Sequence, residues 1–172
     1  MLQMLGACML LVGIMGAGYE YIEKERKIIC VIEKWEHIMQ MFISEITYKK
    51  QPLALACYEI GEKMGEEEGI FLKEISLQMQ KRDRSVFKEI WENELVRYWK
   101  EKQIDKETKE LMKEFGVLTG FEDERVQKKM IEEQKEKWKG KRLKLQKEHE
   151  ERKRIILLLS SCLGILMVLI LW

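Results

Sequence analysis

What most constrains this chain is where its charges are absent. Met1 to Gly18 and Ile155 to Trp172 contain no Asp, Glu, Lys or Arg, so all 31 basic and 30 acidic residues lie between these ends. About twenty apolar residues in a helix cross the hydrocarbon core of a bilayer, and each end is therefore expected to be a transmembrane helix. A buried core helix would show polar side chains at helical intervals, whereas only Ser160 and Ser161 interrupt the second run. The first run finishes in Gly16, Ala17 and Gly18, which resemble a signal-peptidase site. No Lys or Arg precedes its apolar stretch, and this favours an uncleaved anchor over a cleaved leader.

Orientation follows from the flanking cations. Lys24, Arg26 and Lys27 follow the first run, and a basic stretch from Lys139 to Arg154 precedes the second. Lys and Arg accumulate on the cytoplasmic side of short membrane flanks. The expected organisation is an N-terminal span over 1–18, one cytoplasmic domain over 19–154, and a C-terminal span over 155–172 with Trp172 as an interfacial anchor. At 172 residues the chain is expected to hold one domain rather than two.

The interior is expected to be all-α, an antiparallel bundle of about six helices. The chain has a single proline, and apolar residues recur at three- and four-residue steps. Ile28, Ile32, Trp35, Met39, Phe42 and Ile46 form a heptad stripe that needs a partner helix, as in a coiled coil. This helix is expected to run to about Tyr48, with Pro52 opening the next in its first turn. Gly65 to Gly69 should break that helix before a third at about 70–81. Ser85 and Asp105 are the expected N-caps of the fourth and fifth. Val86, Phe87, Ile90, Trp91, Leu95 and Tyr98 form the fourth helix's apolar face, and Leu111, Met112 and Phe115 that of the fifth. Gly116 and Gly120 suit a C-cap or a close turn, and a sixth helix continues from Asp123 into the second span.

Ile131, Trp138 and Leu145 recur every seven residues in an otherwise polar stretch. If the two ends lie antiparallel, Leu145 faces Ile28, Trp138 faces Trp35 and Ile131 faces Phe42. This predicts a two-helix spine rising about 45 Å from the bilayer at 1.5 Å per residue.

Chemistry-bearing patterns are sparse. The glycines at 61, 65 and 69 lack a following Gly-Lys-Ser/Thr, so no phosphate loop is expected. Glu66, Glu67 and Glu68 are expected to be a solvated turn. Cys8, Cys30, Cys57 and Cys162 have no metal-ligand spacing, and no disulfide, metal site, catalytic residue or cofactor is assigned. His37 and His149 are expected at solvated helix positions. The basic stretch before the second apolar run is better explained by topology and anionic headgroups than by nucleic acid, and no small-molecule substrate is expected.

Three segments carry a resemblance. "SEITYKKQPLALA" places Glu45, Tyr48, Pro52 and Leu53 in an E-I-x-Y-x-x-x-P-L pattern, and "SVFKEIWENEL" supplies Trp91. "FGVLTGFEDERVQ" places Gly116, Gly120, Asp123 and Gln127 in an L-G-x-x-L-G-x-S-D-x-x-x-Q pattern, with Phe115 and Thr119 for leucines and Glu122 for serine. In this order, with flanking apolar runs, they resemble the stage III sporulation protein AB family of endospore-forming Firmicutes. The resemblance implies a non-enzymatic subunit of the mother-cell sporulation channel complex in the membrane facing the forespore. It also implies a helical bundle similar to the platform proteins of type II secretion and type IV pilus systems. Implied partners are the stage III sporulation AA ATPase and other subunits of that complex. The competing reading is a small membrane-bound adaptor or regulator of a signalling protein. Glu45, Tyr48, Pro52, Asp123 and Gln127 are expected together at the end remote from the membrane. There they either dock the ATPase or stitch the bundle's corner, with Tyr48 and Gln127 satisfying each other.

Overall fold

The computed structural model describes residues 2–81, 87–100, 102, 104–118 and 124–171, with most side chains of 2–18 and 160–171 outside that description. Among the described residues there are six α-helices and no strand, as the helical periodicity predicts. They are α1 (Leu2–Ile43), α2 (Leu53–Met64), α3 (Glu67–Lys81), α4 (Phe87–Trp99), α5 (Lys106–Leu118) and α6 (Glu124–Leu171). The expected transmembrane helices 1–18 and 155–172 fall mostly on side chains outside the description. Among the described residues no helix is long and apolar enough to cross a membrane. The chain divides into two units, Val31–Lys141 and the pair Met1–Cys30 with Arg142–Trp172.

Local chemistry sets the helix boundaries. The last turn of the first helical stretch, Ser44–Tyr48, widens to a π-helix. Pro52 stands one position before the expected first turn, as the N-cap of α2, with φ −56 and ψ 144. That extended ψ lets its carbonyl accept from the Ala56 N–H at 2.9 Å, where proline's missing donor costs nothing. Gly65 ends α2 in the left-handed region at φ 69. Gly69, in contrast, is helical and breaks nothing, because α3 begins at Glu67. A Cβ on Gly69 would stand 2.5 Å from the Gly61 carbonyl oxygen, so α2 and α3 cross where only backbone fits. Asp105 caps α5 as expected, accepting from the Thr108 N–H at 3.0 Å. The expected cap Ser85, with Val86, lies outside the described residues, as do Gly120 and Asp123.

In the unit Val31–Lys141, α2 packs on α3, α3 on α4 and α4 on α5. Ile32, Trp35, Met39, Phe42 and Ile46 of the heptad stripe are buried there, and Ile38 and Ile43 join them. The buried face is therefore wider than a two-stranded coiled coil needs, as befits a helix covered by several neighbours. Trp35 stacks on Trp138 with ring centroids 6.0 Å apart and planes 16° apart, as the antiparallel register requires. Phe42 and Ile131 are fully buried in the same unit. At nearly that register the Lys135 ammonium donates a hydrogen bond to Gln40. In the other unit Ile28 and Leu145 are only half-buried, and Ile29 is the buried neighbour.

Candidate functional site

The first expected site is the corner after α1. Glu45 sits in the π-helical turn at 1% exposure, receiving the Lys49 ammonium at 2.8 Å and the Lys63 ammonium at 2.6 Å. Burial pushes its carboxyl pKa up, but the bonds from Lys49 and Lys63 outweigh that and hold it below the usual carboxylate range. Glu45 thus ties the π-turn to α2 from inside. Tyr48, in the same turn, is 78% exposed, while Gln127 is buried in α6 and has a partner of its own. Pro52 is exposed, and Asp123 lies outside the described residues.

Between Tyr48 and Pro52, Lys50 adopts φ 52, a left-handed conformation that costs a residue bearing a Cβ roughly 1–2 kcal/mol. Lys50→Gly is therefore expected to raise stability by about 0.5–1 kcal/mol, after the extra chain entropy glycine loses on folding. Urea unfolding in detergent measures this, and an unchanged midpoint would mean the turn relaxes without strain.

A second cluster corrects the reading of the glutamate triplet as a solvated turn. Glu68 is 1% exposed and accepts from the Tyr98 hydroxyl at 2.6 Å and the Lys102 ammonium at 2.7 Å, with Lys34 at 3.3 Å. Glu67 and Glu66, both exposed, extend the network as second partners of Lys102, at 2.8 Å, and of Lys34. Burial pushes the Glu68 carboxyl up, but the bonds from Lys102 and Tyr98 bring it down to about 2. The same burial, with the Glu68 bond, pushes the Tyr98 phenol well above its ordinary value. Tyr98 also packs its ring 5.3 Å from Phe71 and 6.0 Å from Trp35, so the charged cluster is seated on the aromatic core. The sequence carries little signal of it, because Lys102 lies beyond the end of α4 at Trp99 and reaches Glu68 from outside the helix.

Three further expectations change. Lys141, assigned to the basic topological stretch, is 4% exposed at its side chain and bonds Asp105 at 2.6 Å and Glu107 at 2.9 Å. Gly116, expected to cap or turn α5, lies inside it against Trp91. Trp91 is fully buried and donates its indole N–H to the Met112 carbonyl at 2.7 Å. His37 is exposed as expected, but His149 is half-buried with Nδ1 3.5 Å from Glu25 Oε2.

The residues of the first and second clusters hold one another rather than an empty coordination sphere. No three His, Cys, Asp or Glu side chains gather as metal ligands would among the described residues.

The sequence model described as "Stage III sporulation protein AB (spore_III_AB)" matches residues 3–172. The chain belongs to the stage III sporulation protein AB family. The curated "Stage III sporulation protein AB" of Bacillus subtilis (strain 168) is 26% identical over 175 residues, spanning 99% of this chain and 99% of that one. A solved structure, "Stage III sporulation protein AB (SpoIIIAB)", superposes with a TM-score of 0.64 at 23% identity. It covers 72% of this chain and 96% of its own, a likeness that shows the fold. The segments that suggested this sporulation family now have physical roles. Glu45 pins the π-turn, Pro52 starts α2, Trp91 fills the core, and Gly116 makes room for it.

Proposed function

We propose that this stage III sporulation protein AB relative is a non-enzymatic membrane platform of the mother-cell channel complex. The two uncharged ends anchor it by spanning the membrane that faces the forespore, leaving the bundle in the cytoplasm. In support, α1 and α6 run as unbroken helices through residues 2–18 and 155–171. Its partner is an ATPase of the stage III sporulation AA type, docked at the corner after α1, alongside other subunits of the complex.

The observation that carries the docking is Tyr48. A tyrosine 78% exposed has little to do for the bundle itself, yet its backbone is fixed by a π-turn tied to α2 through Glu45 and Lys63. A large amphipathic ring on a rigid turn is the kind of anchor that dominates protein interfaces. Tyr48→Ala is expected to weaken ATPase binding by roughly 30-fold, the loss of one interface anchor, without changing helicity or membrane fractionation. Binding of the purified ATPase to the full chain in detergent measures this. An affinity equal to that of the unaltered chain would reject the corner as the dock.

A further inference from the structure

In the unit formed by Met1–Cys30 and Arg142–Trp172, the two helices enclose a groove of ≈ 310 Å³. From α1 come Tyr19, Ile22, Glu23 and Arg26, at i, i+3, i+4 and i+7, which is one helical face. From α6 come His149, Lys153, Ile156 and Leu157, at i, i+4, i+7 and i+8, again one face. Because the helices run antiparallel, with His149 beside Glu25, both faces are ordered alike along the groove. Tyr19, Ile22, Ile156 and Leu157 lie toward the uncharged ends, and Arg26, Lys153 and His149 lie away from them.

The charges are not equally engaged. Glu25 takes both Arg152 and His149. Arg26 meets Glu23, the groove's one carboxylate, at 3.6 Å with side chains 72% and 37% exposed, a pairing that water screens almost entirely. Lys153 is exposed and has no hydrogen-bond or ion-pair partner among the described residues. Tyr19 and Leu157 remain 68% and 62% exposed, an apolar lip directly beside two available cations.

We propose that this groove seats one anionic phospholipid, with its phosphate between Arg26 and Lys153 and the first methylenes of an acyl chain along Ile22, Ile156 and Leu157. This rests on the membrane-spanning reading of the two ends, which puts the groove at headgroup depth. An order of apolar lip then cations, running outward from the uncharged ends, is the order of chain and headgroup in a leaflet. An acidic peptide would match the cations but leave the apolar lip unused. Tyr19 suits the boundary, because its ring and hydroxyl satisfy both sides of it.

The test uses the full chain reconstituted in phosphatidylcholine vesicles with a minor fraction of phosphatidylglycerol, then purified in mild detergent, with co-retained lipid measured by mass spectrometry. Phosphatidylglycerol should be enriched over phosphatidylcholine. Arg26→Gln and Lys153→Gln should each lower that enrichment roughly fivefold, the worth of one cation at an anionic surface. Lys144→Gln, an exposed cation elsewhere on α6, should leave it unchanged. Equal retention of the two lipids, an equal loss from Lys144→Gln, or displacement of the lipid by inorganic phosphate would overturn the site. Extraction of the chain from the vesicles by alkaline carbonate would instead overturn the spanning reading, so the two failures are distinguishable.

Discussion

Gly116→Ala is expected to destabilise the bundle by about 2–3 kcal/mol, even though alanine in an open helix position would stabilise it by about 1 kcal/mol. The added methyl would stand 2.7 Å from Cγ and 3.1 Å from Cβ of Trp91, with Cδ1 closer still. A flexible side chain would swing aside, but this ring has nowhere to go. Its N–H is bonded to the Met112 carbonyl, and its faces and edges meet Phe115 at 4.9 Å, Phe71 at 5.1 Å, Phe87 at 5.5 Å and Trp35 at 5.7 Å. The strain must move α5 away from α4, which opens gaps around every ring in the cluster.

Urea unfolding of the full chain in detergent, followed by near-ultraviolet circular dichroism, measures the loss. Trp91→Leu on its own leaves a cavity and should cost about 2–4 kcal/mol. Combined with Gly116→Ala it should cost less than the sum, because the methyl then enters the vacated space. Additive losses would mean that Gly116 and Trp91 are not coupled and that the close approach has another origin.

What could be read from the sequence divides along a physical line. Trp35 and Trp138 pair once the two uncharged ends are laid antiparallel, because that register sets the apolar side chains of one helix, seven residues apart, against the heptad stripe of the other. Asp105 is legible because an N-cap depends on residues three apart. Glu68 is not, because its burial depends on Tyr98 and Lys102 some thirty positions away, and a glutamate triplet bounded by glycines looks the same whether one member turns inward or none does. Glu45 is legible as a candidate dock, but its pairing with Lys63 is equally invisible in the sequence, since it arises only once the π-turn folds α2 back. In the sequence Gly116 and Gly69 look like helix punctuation, whereas each marks a crossing too close for a Cβ. Glycine's two uses, left-handed turns and close approach, cannot be separated until the neighbouring helix is known.

Acid is expected to remove on the order of 3 kcal/mol of stability through Glu68 alone. Its carboxyl is brought from an ordinary 4.5 to about 2 in the folded protein, so the unfolded chain binds the proton more readily. The contribution is complete above about pH 4.5 and is lost progressively as the pH falls toward 2. Glu45, Asp105 and Glu114 are lowered as well, so the whole protein loses more than this one group. Glu68→Gln isolates its share. The amide keeps an acceptor for the Tyr98 hydroxyl but leaves Lys102, whose side chain is 16% exposed, with only the exposed Glu67 as counter-charge. Breaking a buried pair from one side costs about 3–5 kcal/mol, and Glu67 should recover part of that, giving a net loss of about 2–3 kcal/mol at neutral pH. Between pH 5 and 3 the variant's stability should then fall less steeply than that of the unaltered chain, so that the two curves converge in acid. Parallel curves would show that Glu68 is not the group whose protonation loosens the seat beneath Trp35 and Phe71, and that the acid sensitivity belongs to the other carboxylates.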